Sequence, residues 1–180
     1  MIEVRIHGRG GQGAVVAAEL LASAFFREGK YVQSFPTFGP ERRAAPVAAF
    51  VRVDEEPIKL RCEIYNPDHL IVLDASLVRA IDITAGVKEG GWVVINSGKP
   101  PESFDLGDRF RVVTVDAGAV AVKHKLGSRT QPIANTAILG SFARITGLVG
   151  IDAVVGAIEE MVSTKKEENV AAARETYDRS

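Results

Sequence analysis

A glycine cluster directly after an alternating strand pattern is the feature that most constrains the fold of this chain. Ile2, Val4 and Ile6 alternate with polar residues, a two-residue period that predicts a β-strand. The next residues satisfy G-x-G-x-x-G and are Gly8, Arg9, Gly10, Gly11, Gln12 and Gly13. Apolar residues then recur at three- and four-residue steps as far as Gly29, which predicts a helix. This order of strand, glycine turn and helix is typical of α/β folds that bind a ligand at the turn.

The rest of the chain predicts a single α/β domain over residues 1–180. Short apolar runs, typical of strands buried in a parallel sheet, lie at Tyr31–Phe35, Val47–Val53, Leu70–Leu73, Trp92–Ile95 and Arg111–Val115. We therefore expect a mostly parallel, Rossmann-like sheet with flanking helices. A turn-like segment separates Val47–Val53 from Ile58–Cys62, which predicts an antiparallel β-hairpin at one edge of the sheet.

The end of the chain predicts helices. A helical pattern is interrupted at Gly147 and Gly150, and Thr164 and Glu167 have the spacing of a helix capping box. We therefore expect a helical C-terminus. No segment is rich enough in Pro, Gly and Ser to divide two domains.

Composition excludes several classes of function. With 22 Lys and Arg against 23 Asp and Glu, the chain has no field that would concentrate a polyanion, so nucleic acid is not an expected partner. No apolar stretch approaches the ~18 residues of a membrane span and no leader pattern precedes the first strand, so we expect no membrane contact and a cytoplasmic location. The lone Cys62 cannot hold an iron–sulfur cluster, and the histidines lack metal-ligand spacing. No catalytic residue and no metal ligand is assigned.

The glycine loop, residues 8–13, fits two roles. Its backbone amides and the positive end of the following helix can hold a phosphate, to which Arg9 would add a charge. Alternatively, the glycines only allow the helix to pack closely on the sheet. Ordinary dinucleotide binding is disfavoured because no acidic residue closes the second predicted strand at Gln33–Phe35, where the ribose hydroxyls would be bound.

A stiff aromatic and basic segment follows the second predicted strand. Phe35 and Phe38 lie beside two prolines and the adjacent Arg42 and Arg43. These arginines suit a phosphate or a carboxylate of a partner, with the aromatic rings buried against that partner. The other interpretation is an exposed charge pair balanced by Glu41, with the aromatic rings filling part of the core.

Three polar residues each close a predicted strand, namely Asp74, Asn96 and Asp116. Open α/β sheets place their ligand crevice at these strand ends. We interpret at least two of the three as structural caps of the segments that follow.

Together these motifs resemble one known family. Segments similar to the gamma subunit of the 2-oxoacid:ferredoxin oxidoreductases cover nearly the whole chain and lie at Ile6–Ala14, Gln33–Pro36, Phe38–Arg43, Pro132–Ala137 and Lys166–Asn169. Within that family, Phe35–Phe38 looks more like the pyruvate branch than the 2-oxoglutarate or indolepyruvate branches.

The resemblance implies a subunit, inactive alone, of an enzyme that oxidatively decarboxylates a 2-oxoacid, passes electrons to ferredoxin and delivers the acyl group to coenzyme A. Thiamine diphosphate, Mg and [4Fe-4S] clusters would lie on partner alpha, beta and delta subunits. Coenzyme A would be a shared ligand, with Gly8–Gly13, Arg42 and Arg43 at its phosphates. Two alternatives stay open: a purely structural assembly subunit without a ligand, and a stand-alone nucleotide-binding module.

Overall fold

One six-stranded sheet forms the centre of the molecule in the computed structural model, which describes residues 1–37 and 44–180. Its strands are β1 (Ile2–Arg9), β2 (Tyr31–Pro36), β3 (Pro46–Asp54), β4 (His69–Val72), β5 (Trp92–Asn96) and β6 (Arg111–Val115). Across the sheet they stand in the order β2-β3-β1-β4-β5-β6.

The direction of the strands confirms the predicted mostly parallel sheet. β1, β4, β5 and β6 pair in parallel, whereas β3 pairs antiparallel with both β1 and β2. Among the strands of the described residues, β3 is therefore the one that runs against the other five.

The predicted hairpin between Val47–Val53 and Ile58–Cys62 is wrong. The first segment lies within β3, which has a strand on each side, and the second is not a strand. Ala49, Val51 and Val53 of β3 are buried because they pack into the larger apolar core. Next to them, Phe35 of β2 packs on Phe50 with ring centroids 5.3 Å apart. Residues 58–60 are instead held through their carbonyl groups, where the Gln33 side chain donates to Ile58 and Leu60.

The six α-helices of the described residues cover the sheet unequally. They are α1 (Ala14–Arg27), α2 (Leu77–Ala80), α3 (Ala117–Lys123), α4 (Ala137–Thr146), α5 (Ile151–Met161) and α6 (Lys166–Arg179). α1 and α3–α6 share the larger apolar core with the sheet. α2 and the loop residues Ile83 and Phe110 share a smaller core with β4 and β5. No helix of the described ranges is long and apolar enough to cross a membrane.

The helical end of the chain is confirmed, but its predicted cap is not. α4 ends at Gly147, whose φ of 63° is left-handed, and α5 begins directly after Gly150. At the start of α6, Lys165 has a left-handed φ of 50° and no side chain caps the helix, so the expected capping box does not form. The Asn169 side chain instead donates to the Lys165 carbonyl at 2.8 Å.

Candidate functional site

A crevice of about 700 Å³ opens at the carboxyl ends of β1, β4 and β5. β1 continues into α1 on one face of the sheet, whereas β4 continues into α2 on the other. Such a reversal creates the gap in which open α/β sheets bind ligands. The glycine loop forms one side of the crevice, and residues 127–135, here called the opposite wall, form the other.

The glycines of the loop have different roles. Gly11 has a φ of 95°, and Gly13, the N-cap of α1, has a φ of 79°; both values favour glycine over any residue with a Cβ. At Gly8 a Cβ would lie 3.3 Å from both Ala14 and Leu73, which is tight packing. The loop therefore shows the helix packing that the sequence left as an alternative, together with the turn that a phosphate loop needs.

The backbone amides of the loop are only partly engaged. Gly10 donates to Ala45 O at 2.9 Å, and Gln12 donates to Arg9 O at 2.9 Å. Within residues 1–37 and 44–180, no acceptor is found for the N–H groups of Gly11 and Gly13. The first N–H groups of a helix also lack partners inside the helix. These amides can therefore bind an anion at the start of α1.

Asp74, just after β4, organises the polar side chains of the loop. Its Oδ2 accepts from Gln12 Nε2 at 2.9 Å and from Arg9 Nε at 3.2 Å, and its Oδ1 accepts from Ser76. Partial burial alone would raise the pKa of Asp74, but the hydrogen bonds from Ser76 and Gln12 and the charge of Arg9 outweigh it and lower that pKa below its usual value. Asp74 is therefore a carboxylate whose charge is compensated within the site.

Arg9 is consequently not a free cation. Besides Asp74, its guanidinium donates to Ala44 O at 3.1 Å and to Ser76 Oγ at 2.8 Å. The expected side-chain charge for a phosphate is thus largely balanced by the protein itself. Arg42 and Arg43, the other two expected phosphate ligands, lie outside the described residues.

The opposite wall is held by buried neutral groups. Asn135, only 7% exposed, packs its amide directly against Gly13, where a Cβ would overlap it. Next to it, the buried Thr136 donates to Asn169 Oδ1 of α6 at 2.7 Å. The positions in Pro132–Ala137 and Lys166–Asn169 that the resemblance singled out are thus joined by a hydrogen bond inside the protein.

Two of the three strand-end residues are structural, as predicted. Asp116 caps α3 by accepting from Ala119 N at 2.8 Å. Asn96 accepts from Gly118 N at 2.9 Å and donates to Leu73 O at 3.0 Å, which ties β4 and β5 to the start of α3. Sequence reasoning recognised Asp74 as a strand-end residue but not its contact with the glycine loop, and it did not single out Asn135 within its motif.

His7 lies at the end of β1, just before the glycine loop, and is 6% exposed. Burial, assisted by the nearby charge of Arg5, lowers the pKa of His7 from 6.5 to about 4. His7 is therefore neutral at pH 7. No group of three or more metal-ligating side chains occurs among the described residues.

Fold and site together define a class: a Rossmann-like domain with a glycine-loop crevice at the point where its connections reverse. A family model described as pyruvate ferredoxin/flavodoxin oxidoreductase matches residues 3–179. The chain belongs to that family, which confirms the resemblance found in its motifs.

Individual relatives are similar to this chain over nearly their full length. The chain is 50% identical to the pyruvate/ketoisovalerate oxidoreductases common subunit gamma of Pyrococcus abyssi, over 100% of this chain and 97% of that protein. It is 50% identical to pyruvate synthase subunit PorC of Methanothermobacter thermautotrophicus, over 99% and 95%. The crystal structure of pyruvate oxidoreductase subunit PORC from Thermotoga maritima superimposes with a TM-score of 0.83 and 35% identity, covering 98% of this chain and 95% of that one.

Proposed function

We propose that this chain is the gamma subunit of a pyruvate-type 2-oxoacid:ferredoxin oxidoreductase and binds the phosphates of coenzyme A in the crevice. The complex would convert a 2-oxoacid, coenzyme A and oxidised ferredoxin into acyl-CoA, CO2 and reduced ferredoxin. The observation that supports the ligand role most directly is the pair of glycine amides, Gly11 and Gly13, beside the start of α1 at the reversal point of the sheet.

The chemistry of the crevice suits a phosphate-containing ligand. Amide N–H groups at a helix start bind phosphate without a charged side chain, which fits an Arg9 already paired with Asp74. The opposite wall adds polar groups from Ser128, Thr130 and Gln131. A volume of about 700 Å³ lies within the ~300–1,000 Å³ of small-molecule sites. Arg42 and Arg43 belong to the same proposal as further phosphate ligands.

The role of this chain would be to bind and position one substrate. Holding a thiol carrier beside an acyl group on another subunit converts an encounter in solution into a step within one complex. By name, the relative from Pyrococcus abyssi serves oxidoreductases for two oxoacids, pyruvate and ketoisovalerate. A subunit that serves two oxoacids is better suited to bind the substrate common to both reactions, coenzyme A. Selection of the oxoacid would then belong to another subunit.

The remaining chemistry would belong to partner chains. Thiamine diphosphate with Mg, and [4Fe-4S] clusters that pass electrons to ferredoxin, are assigned to alpha, beta and delta subunits. Within the described part of this chain, Cys62 is the cysteine available and no cluster of ligating side chains occurs, which is consistent with that division. A cytoplasmic location is part of the same proposal.

The test compares two glycines that flank α1. Gly11→Asn places a side chain at an open position of the crevice, and the matched control Gly29→Asn lies beyond the other end of the helix. Gly29 also has a left-handed φ, 82°, and open space around it, so both variants carry a similar backbone cost. In the assembled complex, Gly11→Asn should raise the KM for coenzyme A about tenfold, or ~1.4 kcal/mol, while the control and the KM for the 2-oxoacid stay unchanged.

Other outcomes would favour the alternatives. A reduced yield of assembled complex, with an unchanged KM for coenzyme A in the complex that does form, would indicate a purely structural subunit. A stand-alone module should instead bind coenzyme A or NADH as the isolated chain, which titration calorimetry would detect.

A further inference from the structure

We infer that Asp74 is the positioning residue of the coenzyme A site, because its carboxylate fixes the glycine loop through the side chains of Gln12 and Arg9. The inference rests on the proposed function and extends it, since it states which group keeps the amide donors in place.

One carboxylate oxygen of Asp74 accepts hydrogen bonds from the glycine loop. Oδ2 accepts from Gln12 Nε2 at 2.9 Å and from Arg9 Nε at 3.2 Å. Gln12 Oε1 in turn accepts from the backbone N–H of Arg9 at 2.7 Å. These bonds form a closed circuit across the turn, which holds the residues on either side of Gly10 and Gly11 at a fixed separation.

The other oxygen anchors the carboxylate to Ser76, the N-cap residue of α2. Oδ1 accepts from the backbone N–H of Ser76 at 2.9 Å and from its hydroxyl at 2.6 Å. Because β4 lies beside β1 in the sheet, Asp74 has a fixed distance from the root of the loop. Asp74 therefore restrains the loop from outside, because the glycines of the loop do not restrain their own backbone.

The charge of Asp74 also determines how the site would bind an anion. A lone carboxylate beside a phosphate would repel it, but this one forms an ion pair with Arg9. The pair contributes little net charge to the crevice. Affinity for the phosphate should therefore depend on the geometry of the amides, which Asp74 maintains, more than on attraction to Arg9.

Asp82 provides a closely matched control. Its Oδ1 accepts from the N–H of Thr84 at 3.1 Å and from its hydroxyl at 2.9 Å, the same local turn that Asp74 makes with Ser76. Within residues 1–37 and 44–180 it has no hydrogen bond to the glycine loop. Asp82→Ala thus removes the same kind of turn, together with a negative charge near Arg5, and leaves the contacts of the glycine loop in place. Asp74→Ala removes the turn and the support of the loop.

The experiment measures steady-state kinetics of the assembled complex with each variant. Asp74→Ala should raise the KM for coenzyme A about tenfold, with kcat at saturating coenzyme A and the KM for the 2-oxoacid within twofold of wild type. Asp74→Asn should act in the same direction, because an amide that keeps its oxygen on Ser76 presents N–H groups to the donors of Gln12 and Arg9. This second variant decides the question if Asp74→Ala fails to assemble. Asp82→Ala should leave all three parameters unchanged.

The inference and the proposed function fail in different ways. If Gly11→Asn raises the KM for coenzyme A while both Asp74 variants leave it within twofold, the positioning role is overturned and the site stands. If neither Gly11→Asn nor the Asp74 variants change it, the proposed coenzyme A site is wrong. A loss of kcat in the Asp74 variants, with the KM values of both substrates unchanged, would show a general structural role and overturn the inference.

Discussion

The two sides of the crevice are held in place by different physics. The glycine loop depends on Asp74 and Arg9, which are charged, hydrogen-bonded and 22% and 28% exposed in their side chains. The opposite wall depends on Asn135, Thr136 and Asn169, which are neutral and almost fully buried. Partly solvated ion pairs add little to stability, whereas a buried polar group that loses its partner is costly. The opposite wall should therefore serve as the fixed frame, and the loop as the adjustable part that meets the ligand.

Close packing behind the opposite wall should give the largest effect. A Cβ at Gly140 of α4 would overlap the carbonyl oxygen of Ala173 in α6, and backbone atoms cannot move aside cheaply. Gly140→Ala should lower the free energy of unfolding by about 3 kcal/mol, measured by urea denaturation. The control is Gly156→Ala in α5, where the Cβ meets the flexible guanidinium of Arg27; it should change stability by no more than about 1 kcal/mol, in either direction. If both variants lose the same free energy of unfolding, the close contact between α4 and α6 is not the cause of the loss.

Acid should act on the root of the glycine loop through His7. Because the pKa of His7 is about 4 in the folded chain and 6.5 ordinarily, the unfolded chain binds more protons between those pH values, and stability falls as pH drops through this window. The His7 share of this loss amounts to at most about 3 kcal/mol. His7→Leu should remove that share in urea titrations at several pH values, whereas the share of His69, whose pKa is also lowered by burial, remains.

Asp74→Asn is the control for the loss of stability between pH 6.5 and 4. The pKa of Asp74 is lowered in the folded chain, so its stabilisation is present above the ordinary value of ~3.9 and is lost only as pH falls through the lower folded value. The variant should leave the profile between pH 6.5 and 4 unchanged. If stability depends less on pH in this variant than in the wild type, the assignment of the acid sensitivity to His7 is wrong.

Removal of the buried Asn169 amide should have a moderate effect, because the amide accepts from Thr136 and donates to the Lys165 carbonyl. Asn169→Leu leaves the Thr136 hydroxyl, which donates to Asn169 at 2.7 Å, without its acceptor. The expected cost is about 2 kcal/mol, against about 1 kcal/mol or less for Asp74→Ala, whose ion pair is partly hydrated. Urea denaturation of both variants tests the contrast directly. If Asp74→Ala is the more destabilising of the two, the assignment of frame and adjustable part is reversed.

Local patterns predicted the fold where neighbours in sequence decide the structure. β1, the glycine loop and α1 follow one another without interruption, and the breaks at Gly147 and Gly150 are helix ends. The partner of β3 was mistaken because an apolar run does not specify which strand lies beside it. For a similar reason, the sequence predicted the glycine loop of the site but not the distant residues that contact it. Gln12 and Asp74 are 62 residues apart, and Asn135 lies 122 residues from Gly13, so no local pattern joins them.

The reversed strand β3 explains the missing ribose-binding acid. Neighbouring strands lie ~4.8 Å apart, so the insertion of β3 between β1 and β2 moves the end of β2 to roughly 10 Å from β1. From that distance a carboxylate side chain would no longer reach a sugar whose diphosphate sits on the glycine loop. In this topology the displaced end of β2 carries Gln33, Ser34 and Phe35, and an acid there would lie too far away to serve a ligand held on the glycine loop.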